Sequence, residues 1–137
     1  MNLAIATQPP VEDTPWHERK PDCTLSTLAT PDERSLELCE GMLDIAAALF
    51  SVCGKELRKP GRTSLDVSRV RQIAMYVAHV ILRLNMSDIG RGFGRDRTTV
   101  LHACHLVEDM RDDKDFDRLV AMTERVALVA FRNRLEL

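Results

Sequence analysis

Three features of the sequence predict an all-α fold. Apolar residues recur at every third or fourth position through most of the chain after residue 29, which is the spacing of a helix with one buried face. The strict two-residue alternation that indicates a half-buried strand is absent. Residues that commonly cap helices, such as Thr30, Ser87 and Asp96, precede several of the apolar stretches. We therefore expect one multi-helix domain over residues 30–137.

Residues 1–29 have a different composition. They contain four prolines among scattered polar residues, and such a composition favours neither regular helices nor a packed core. We expect residues 1–29 to be a flexible N-terminal arm outside the folded domain.

Two helices and a loop are predicted after the arm. Thr30-Pro31-Asp32-Glu33 combines an N-cap threonine, a proline at the first helical position and a glutamate at the third, which is a capping box. It predicts a helix over 31–51, followed by a short second helix within 52–58. Lys59-Pro60-Gly61-Arg62-Thr63-Ser64 cannot continue that helix because of its Pro-Gly pair. We interpret it as a basic loop.

Two longer helices are predicted from their apolar stripes. One covers about 66–84, and the other covers about 115–134, after a charged run that breaks the helical pattern. The stripe of the first helix consists of Val70, Ile73, Ala74, Val77, Ile81 and Leu84.

Between these two helices, residues 86–104 indicate a short helix, a glycine turn and a longer helix. Ser87 is placed to cap the short helix over 87–93, and Asp96 is placed to cap the longer helix over about 96–111. Small polar and cationic side chains open the second helix, whereas its apolar positions share one face. This is the layout of a helix-turn-helix, in which the first turn of the second helix reads base edges in the major groove of DNA.

The charge distribution agrees with a DNA-binding centre. The whole chain has a net charge of -2, which by itself argues against nucleic acid. Residues 55–105, however, carry 10 Lys/Arg against 4 Asp/Glu, whereas residues 1–54 carry 3 against 9 and residues 106–137 carry 6 against 8. Affinity for DNA depends on the patch that faces the phosphates. We expect the cationic central block to form that patch.

Several other classes of protein are disfavoured. We find no C-x-x-C pair, no signal peptide and no uncharged apolar run long enough to cross a membrane. These observations predict a cytoplasmic protein whose cysteines are reduced packing residues. His102, Cys104 and His105 lie close in sequence but lack the spacing of a metal site. We expect no metal, no cofactor and no enzymatic activity.

Three motifs carry a resemblance to a known family. They are the runs Arg69–Tyr76, Asp88-Ile89-Gly90 and Phe93–Cys104, which occur in this order. Their sequence and spacing closely resemble the C-terminal duplex-binding domain of the bacterial chromosomal replication initiator DnaA, over about residues 35–115. The chain has no G-x-x-x-x-G-K-[ST] loop and no room for an ATPase domain. The resemblance therefore implies a standalone DnaA-like protein that binds duplex DNA and no nucleotide.

The resemblance also implies which residues contact DNA. The residues implied to contact bases are Arg62, Met86, Ser87, Asp96, Arg97, Thr98 and Thr99, with Arg62 in the minor groove. The residues expected to contact phosphates are Arg69, Arg71, Gln72, Arg91 and Arg95.

The chemistry of these side chains leaves some alternatives open. Arg97 can form two parallel hydrogen bonds with guanine, or it contacts phosphate only. Thr98 and Thr99 can hydrogen-bond to bases, and their methyl groups can touch a thymine methyl. Asp96 either accepts a hydrogen bond from a cytosine amine or only caps its helix. Initiators carry histidine where this chain has Arg97 and proline where it has Ser87, so we expect a target other than the initiator's own site.

The last predicted helix suggests self-association. Its apolar residues cover more than one face, as in a helix with more than one neighbour; they include Phe116, Leu119, Val120, Val126, Val129, Phe131 and Leu135. We expect a homodimer, the alternative being a larger intramolecular core. For function we expect sequence-specific DNA binding by a transcription regulator. The alternatives are a replication modulator that competes for initiator sites and a protein-interaction module that has lost DNA binding.

Overall fold

A computed structural model describes residues 30–59 and 65–135. Over these residues it contains seven helices and no strand, which confirms the predicted all-α class. The N-terminal arm and Arg62 lie outside the described residues. The helices are α1 (Pro31–Phe50), α2 (Gly54–Arg58), α3 (Leu65–Val80), α4 (Met86–Phe93), α5 (Arg97–Met110), α6 (Lys114–Ala130) and α7 (Arg132–Leu135).

Two of the predicted N-caps are present. Thr30 Oγ1 accepts a hydrogen bond from the Glu33 N–H at 3.1 Å, in the first turn of α1. Asp96 Oδ1 accepts one from the Thr99 N–H at 2.9 Å, at the start of α5. Each of these bonds satisfies an amide that has no partner within its helix.

The N-cap of α4 was predicted wrongly. Asn85, and not Ser87, has the extended backbone of a cap (φ -81°, ψ 164°), and its Oδ1 accepts a hydrogen bond from the Asp88 N–H at 2.8 Å. Ser87 already lies within the first turn of α4. Asparagine and serine both cap helices well. Which of the two becomes the N-cap depends on where the preceding turn ends.

Three other boundaries differ from the predictions. Helix α3 ends at Val80 because the turn after it includes Arg83 at φ 61°, which is outside the helical region. Helix α2 begins at Gly54, later than predicted. The helix predicted over 115–134 is divided in two. Helix α6 ends at Ala130, and Phe131, at φ -108° and ψ 14°, separates it from α7.

Helix α3 is the centre of the domain formed by residues 35–135. Residues 73–78 are all buried, so this helix is covered on every side rather than on one stripe. It packs against α2, α4, α5 and α6. Helix α3 is therefore the support on which the other helices are placed.

A polar network joins α6 to α3 and α5. Arg111 donates hydrogen bonds to Asp117 Oδ1 at 2.5 Å and to Glu124 Oε2 at 2.9 Å, and its guanidinium lies 5.7 Å from the centre of the Tyr76 ring. The Tyr76 hydroxyl donates to the Glu108 carboxylate at 3.1 Å. Burial disfavours the charge on Arg111, but the bonds to both carboxylates outweigh burial and raise its pKa.

Candidate nucleic-acid interface

A tight turn between α4 and α5 places the start of α5. Gly94 is left-handed (φ 69°, ψ 34°), and its N–H donates to the Gly90 carbonyl. The Arg95 N–H donates to the same carbonyl at 2.8 Å. A Cβ atom on Gly90 would lie 2.6 Å from the Arg95 carbonyl oxygen. The turn thus needs glycine at Gly94 for its backbone conformation and at Gly90 for the close approach.

Asp96 fixes the first turn of α5. Its backbone is extended (φ -84°, ψ 166°), and its carboxylate accepts the bond from the Thr99 N–H. Hydrogen bonds from the Thr99 side chain and backbone lower the pKa of this exposed carboxyl. Asp96 therefore caps α5 as predicted, and its predicted contact with a base stays a prediction.

The first turn of α5 presents polar side chains outward. Arg97, Thr98 and Thr99 are all exposed, whereas Val100 directly after them is fully buried. The buried residues from Val100 onward hold the helix against the core. The N-terminal turn before them stays accessible to solvent. Ser87, in the first turn of the neighbouring α4, is exposed as well, and Met86 is half-buried against the core.

An open groove of about 290 Å³ runs between α3 and α5. It brings together four residues that were predicted to contact DNA: Arg71, Gln72, Arg95 and Thr99. It also includes Ser68 and His102, which were not predicted. Both lie one helical turn from predicted residues, Ser68 before Gln72 and His102 after Thr99, so helical periodicity was the available signal.

Residues 39–107 match a family described as "Bacterial dnaA protein helix-turn-helix". The chain belongs to this DnaA helix-turn-helix family. The matched segment contains α2 to α4, the turn after α4 and most of α5. The predicted resemblance is thereby confirmed.

Full-length DnaA proteins are similar to this chain over a limited part of their length. The chromosomal replication initiator protein DnaA of Lachnoclostridium phytofermentans is 32% identical over 98 residues, which is 70% of this chain and 21% of that protein. The DnaA of Mycobacteroides abscessus is 33% identical over 99 residues, covering 70% and 20%. The DnaA 1 of Protochlamydia amoebophila is 34% identical over 87 residues, covering 63% and 19%. The chain thus spans about a fifth of these relatives.

In this DnaA-family domain, two arginines that were predicted to contact phosphates donate to backbone carbonyls of distant residues. Arg71 is only 6% exposed; its Nε donates to the Leu57 carbonyl at 2.9 Å and its Nη2 to the Glu56 carbonyl at 3.3 Å. Burial and, to a smaller degree, the charge of Arg95 lower the pKa of Arg71. Arg95 Nη2 donates to the Lys59 carbonyl at 2.8 Å. Both were predicted to contact phosphates, and these carbonyl contacts were not expected.

The other predicted phosphate contacts lie nearer the surface. Arg69 Nη1 donates to Gln72 Oε1 at 2.8 Å, one turn along α3. The exposed Arg91 side chain forms an ion pair with Asp88 on α4. An exposed ion pair of this kind contributes little to stability, and the phosphate contacts of Arg69 and Arg91 stay predictions.

The described cysteines and histidines differ in how far they are exposed. Burial raises the pKa of the Cys104 thiol to about 11, which keeps it protonated at neutral pH. His102 and His105 are exposed on α5. Within residues 30–59 and 65–135, no three His, Cys, Asp or Glu side chains are grouped so that they could hold a metal ion. Nor does any helix in those ranges have the length and apolarity required to cross a membrane.

Proposed function

We propose that this protein binds duplex DNA sequence-specifically through α5 and acts as a transcription regulator at the nucleoid, in the cytoplasm. One observation carries the proposal: in a DnaA-family helix-turn-helix, the capped first turn of α5 presents Arg97, Thr98 and Thr99 to solvent. Side chains at this position of a helix-turn-helix reach base edges in the major groove.

Each exposed side chain has a proposed role in reading the sequence. Arg97 donates two hydrogen bonds to O6 and N7 of a guanine, and the two threonines contact the neighbouring bases. Asp96 accepts the Thr99 N–H through Oδ1, and its carboxylate also accepts a hydrogen bond from a cytosine amine. Arg62 inserts into the adjacent minor groove, where narrow A/T-rich segments attract arginine.

The groove between α3 and α5 is the proposed position of the DNA backbone. Gln72, Thr99 and His102 line it with hydrogen-bonding groups, and Arg71 and Arg95 give it positive charge. A phosphate in this groove would lie beside the first turn of α5, whose amides also favour anions. Backbone contacts at this place would set the register of α5 in the major groove.

The test is a titration of labelled random duplex at several salt concentrations. We expect affinity to fall steeply as salt rises, because each neutralised phosphate releases counterions. Selection of tight binders from the same random pool should then give one recurring sequence. Binding that does not depend on salt, or no binding at low salt, would instead support a protein-interaction module that has lost DNA binding.

A second function is favoured by the family itself. The relatives described above are named chromosomal replication initiator proteins, so a small protein with the same domain can occupy their sites. We therefore keep a replication modulator as an alternative. Competition between this protein and a full-length initiator for the initiator's own duplex distinguishes the two functions. A genome-wide footprint centred on promoters and away from the replication origin would favour the regulator.

We also propose that the protein acts as a homodimer through α6. Leu119, Met122 and Val129 on this helix are 42%, 39% and 59% exposed, and Val126 is half-buried. In chain order, Leu119, Met122, Val126 and Val129 are separated by three, four and three residues, which is the spacing of a coiled-coil seam. A two-fold dimer would present two recognition helices to a pair of half-sites.

A further inference from the structure

We propose that two copies of this protein pair through α6 in antiparallel orientation, so that the acidic start of α6 in one copy meets the basic end of α6 in the other. The inference rests on the homodimer proposed above and adds the direction in which the two helices run. It is carried by a difference in charge between the two ends of the apolar stripe, which consists of Leu119, Met122, Val126 and Val129.

The start of the stripe opens into an acidic groove. Leu119, the first residue of the stripe, also lines an open groove of about 560 Å³ between the end of α5 and the start of α6. Met110 and Phe116 are its other apolar residues, and the rest of its lining consists of Asp109, Asp112, Asp113 and Asp115. Residues 109–118 carry five aspartates against three Lys/Arg. An apolar groove edged by carboxylates suits a partner surface that is apolar and cationic.

Asp115 is the carboxylate that the stripe itself places at the interface. It lies one helical turn before Leu119, on the same side of α6. It forms an ion pair with Arg118 at 2.9 Å, and both side chains are more than three-quarters exposed. A carboxylate accepts from more than one donor, so a cation of a second chain would add to this pair. Asp113, in contrast, already accepts the N–H groups that it caps.

The end of the stripe has the opposite charge. Residues 125–134 carry three arginines and no acidic residue. Arg134 pairs with Glu37 on α1 at 3.0 Å, whereas Arg125 and Arg132 are exposed. Arg132 follows Val129 by three residues, so it lies near the last residue of the stripe.

Antiparallel pairing is the arrangement that joins these two ends. With the two-fold axis at the middle of the stripe, Leu119 of each copy lies opposite the partner's Val129, and Asp115 lies beside the partner's Arg132. Opposite charges then meet at both ends of the interface, and the dipoles of the two helices oppose each other. Parallel pairing would cover the same stripe but would place each acidic end beside its own copy and each basic end beside its own copy. Such like-charge contacts are unfavourable.

Cysteine cross-linking in the full chain measures the orientation directly, with Leu119→Cys and Val129→Cys made in separate chains. In the antiparallel dimer, oxidation should link a mixture of the two variants but neither variant alone. The two copies of one position lie about 15 Å apart, the rise of about ten residues, which is beyond the reach of a disulfide. Val80→Cys, at an exposed valine on α3, is the control and should stay unlinked.

The native cysteines must not take part in this reaction. Cys39 and Cys104 are buried and stay unchanged, whereas the exposed Cys53 is replaced by serine. Cys23, in the N-terminal arm, is replaced as well. Circular dichroism establishes that each variant is folded, and sedimentation establishes that it forms dimers before oxidation.

Charge reversal tests the pairs at the two ends. Asp115→Arg and Arg132→Asp should each raise the dissociation constant of the dimer about tenfold, because each places like charges together twice per dimer. The double variant exchanges the two charges and should return to within about threefold of wild type. Lys55→Asp, an equal reversal at an exposed residue of α2, is the control and should leave the constant unchanged.

Three results would overturn the antiparallel arrangement. Cross-linking of either variant alone would indicate parallel helices, and a double reversal as weak as the single ones would show that these two charges do not meet. A dimer in which neither variant nor their mixture is linked would meet through another surface. A wild-type chain that is monomeric at micromolar concentration would overturn the homodimer too, and it would leave the proposed DNA binding intact.

Discussion

The first turn of α5 and the outer face of α6 are both exposed, but they expose opposite kinds of surface. Helix α5 buries Val100, Ala103 and Val107 and presents polar groups at its capped start. Helix α6 buries Val120, Thr123 and Ala127 and still presents large apolar side chains on its other side. A polar, cationic turn suits a hydrated anionic ligand, whereas an apolar stripe suits another protein surface. The proposed DNA binding and the proposed self-association therefore use different surfaces of one small domain.

The two surfaces also differ in how they are held. The position of α5 depends on a backbone turn with no space for a side chain at Gly90. The position of α6 depends on side chains, namely its buried residues Val120, Thr123 and Ala127 and the bonds from Arg111 to Asp117 and Glu124. Substitutions in the turn should thus disturb DNA binding, and substitutions in the network should disturb α6 alone.

The largest effect is expected for Gly90→Ala. The new Cβ would lie 2.6 Å from the Arg95 carbonyl oxygen, so α4 and α5 must separate, and we expect a loss of about 2 kcal/mol in unfolding free energy. Urea denaturation measures this loss, and affinity for duplex should fall with it. Gly54→Ala is the control, since its Cβ would meet only the flexible end of Arg58. Equal stability of the two variants would contradict the prediction.

Arg97→Ala tests the reading surface of α5. Loss of a bidentate contact with guanine should reduce discrimination at one base pair by about 2 kcal/mol. Competition with duplexes substituted at single positions measures this discrimination. Arg118→Ala, which removes an exposed arginine from α6, should leave it unchanged. If Arg97→Ala weakens binding to every sequence equally, Arg97 contacts phosphate only.

Arg111→Ala tests how α6 is held. It removes the partner of Asp117 and Glu124, so we expect a loss of about 1.5 kcal/mol in unfolding free energy, reduced by the partial exposure of both carboxylates. Denaturant unfolding gives the value. DNA affinity of the folded variant should change little, and a change as large as that of Arg97→Ala would show that the two regions are coupled.

Val129→Glu should separate self-association from folding. It places a charge in the exposed stripe of α6, so we expect the dimer to dissociate while the unfolding free energy of the monomer changes by less than about 0.5 kcal/mol. Sedimentation at micromolar concentration measures the mass. Val80→Glu, at another exposed valine, on α3, is the control and should stay dimeric. A wild-type protein that is monomeric throughout this range would reject the dimer.

The smallest effect concerns the cap of α5. The pKa of Asp96 is lower in the folded protein, so its carboxylate stabilises the fold above the unfolded value of about 3.9. This stabilisation is lost as pH falls through the lower pKa that Asp96 has in the folded protein. We expect the difference in melting temperature between wild type and Asp96→Asn to shrink as pH falls below about 4, the usual pKa of an aspartate. A difference that does not change with pH would argue against the carboxylate bond.

Local signals were enough for the helices and for the capped, exposed first turn of α5. The apolar stripe and the Asp96 cap predict α5 because both depend on residues within a few positions of each other. The α4 cap was missed because Asn85 and Ser87 are equally suitable locally, and the turn containing Arg83 decides between them. The Phe131 ring packs beside Gly41 on α1, and no local signal predicts a contact between residues so far apart in the chain.

The roles of the arginines show the same limit more sharply. A cation at the start of a helix in a DNA-binding motif is a reasonable phosphate contact from sequence alone. The acceptors of Arg71 and Arg95 lie 14 and 36 residues away in the chain. No periodicity relates positions at those separations, so only the packed structure shows that backbone carbonyls receive these donors.

The cysteines offer a practical use of the fold. Cys39 and Cys104 are buried, and burial raises the pKa of Cys39 to about 12, whereas Cys53 is exposed. Among these three thiols, a maleimide dye should therefore attach first to Cys53. Cys53 precedes Gly54 at the start of α2, close in sequence to the carbonyls of Glu56 and Leu57 that accept from Arg71. With Cys23 replaced, a fluorophore at Cys53 would report movement of α2 in real time when duplex is added.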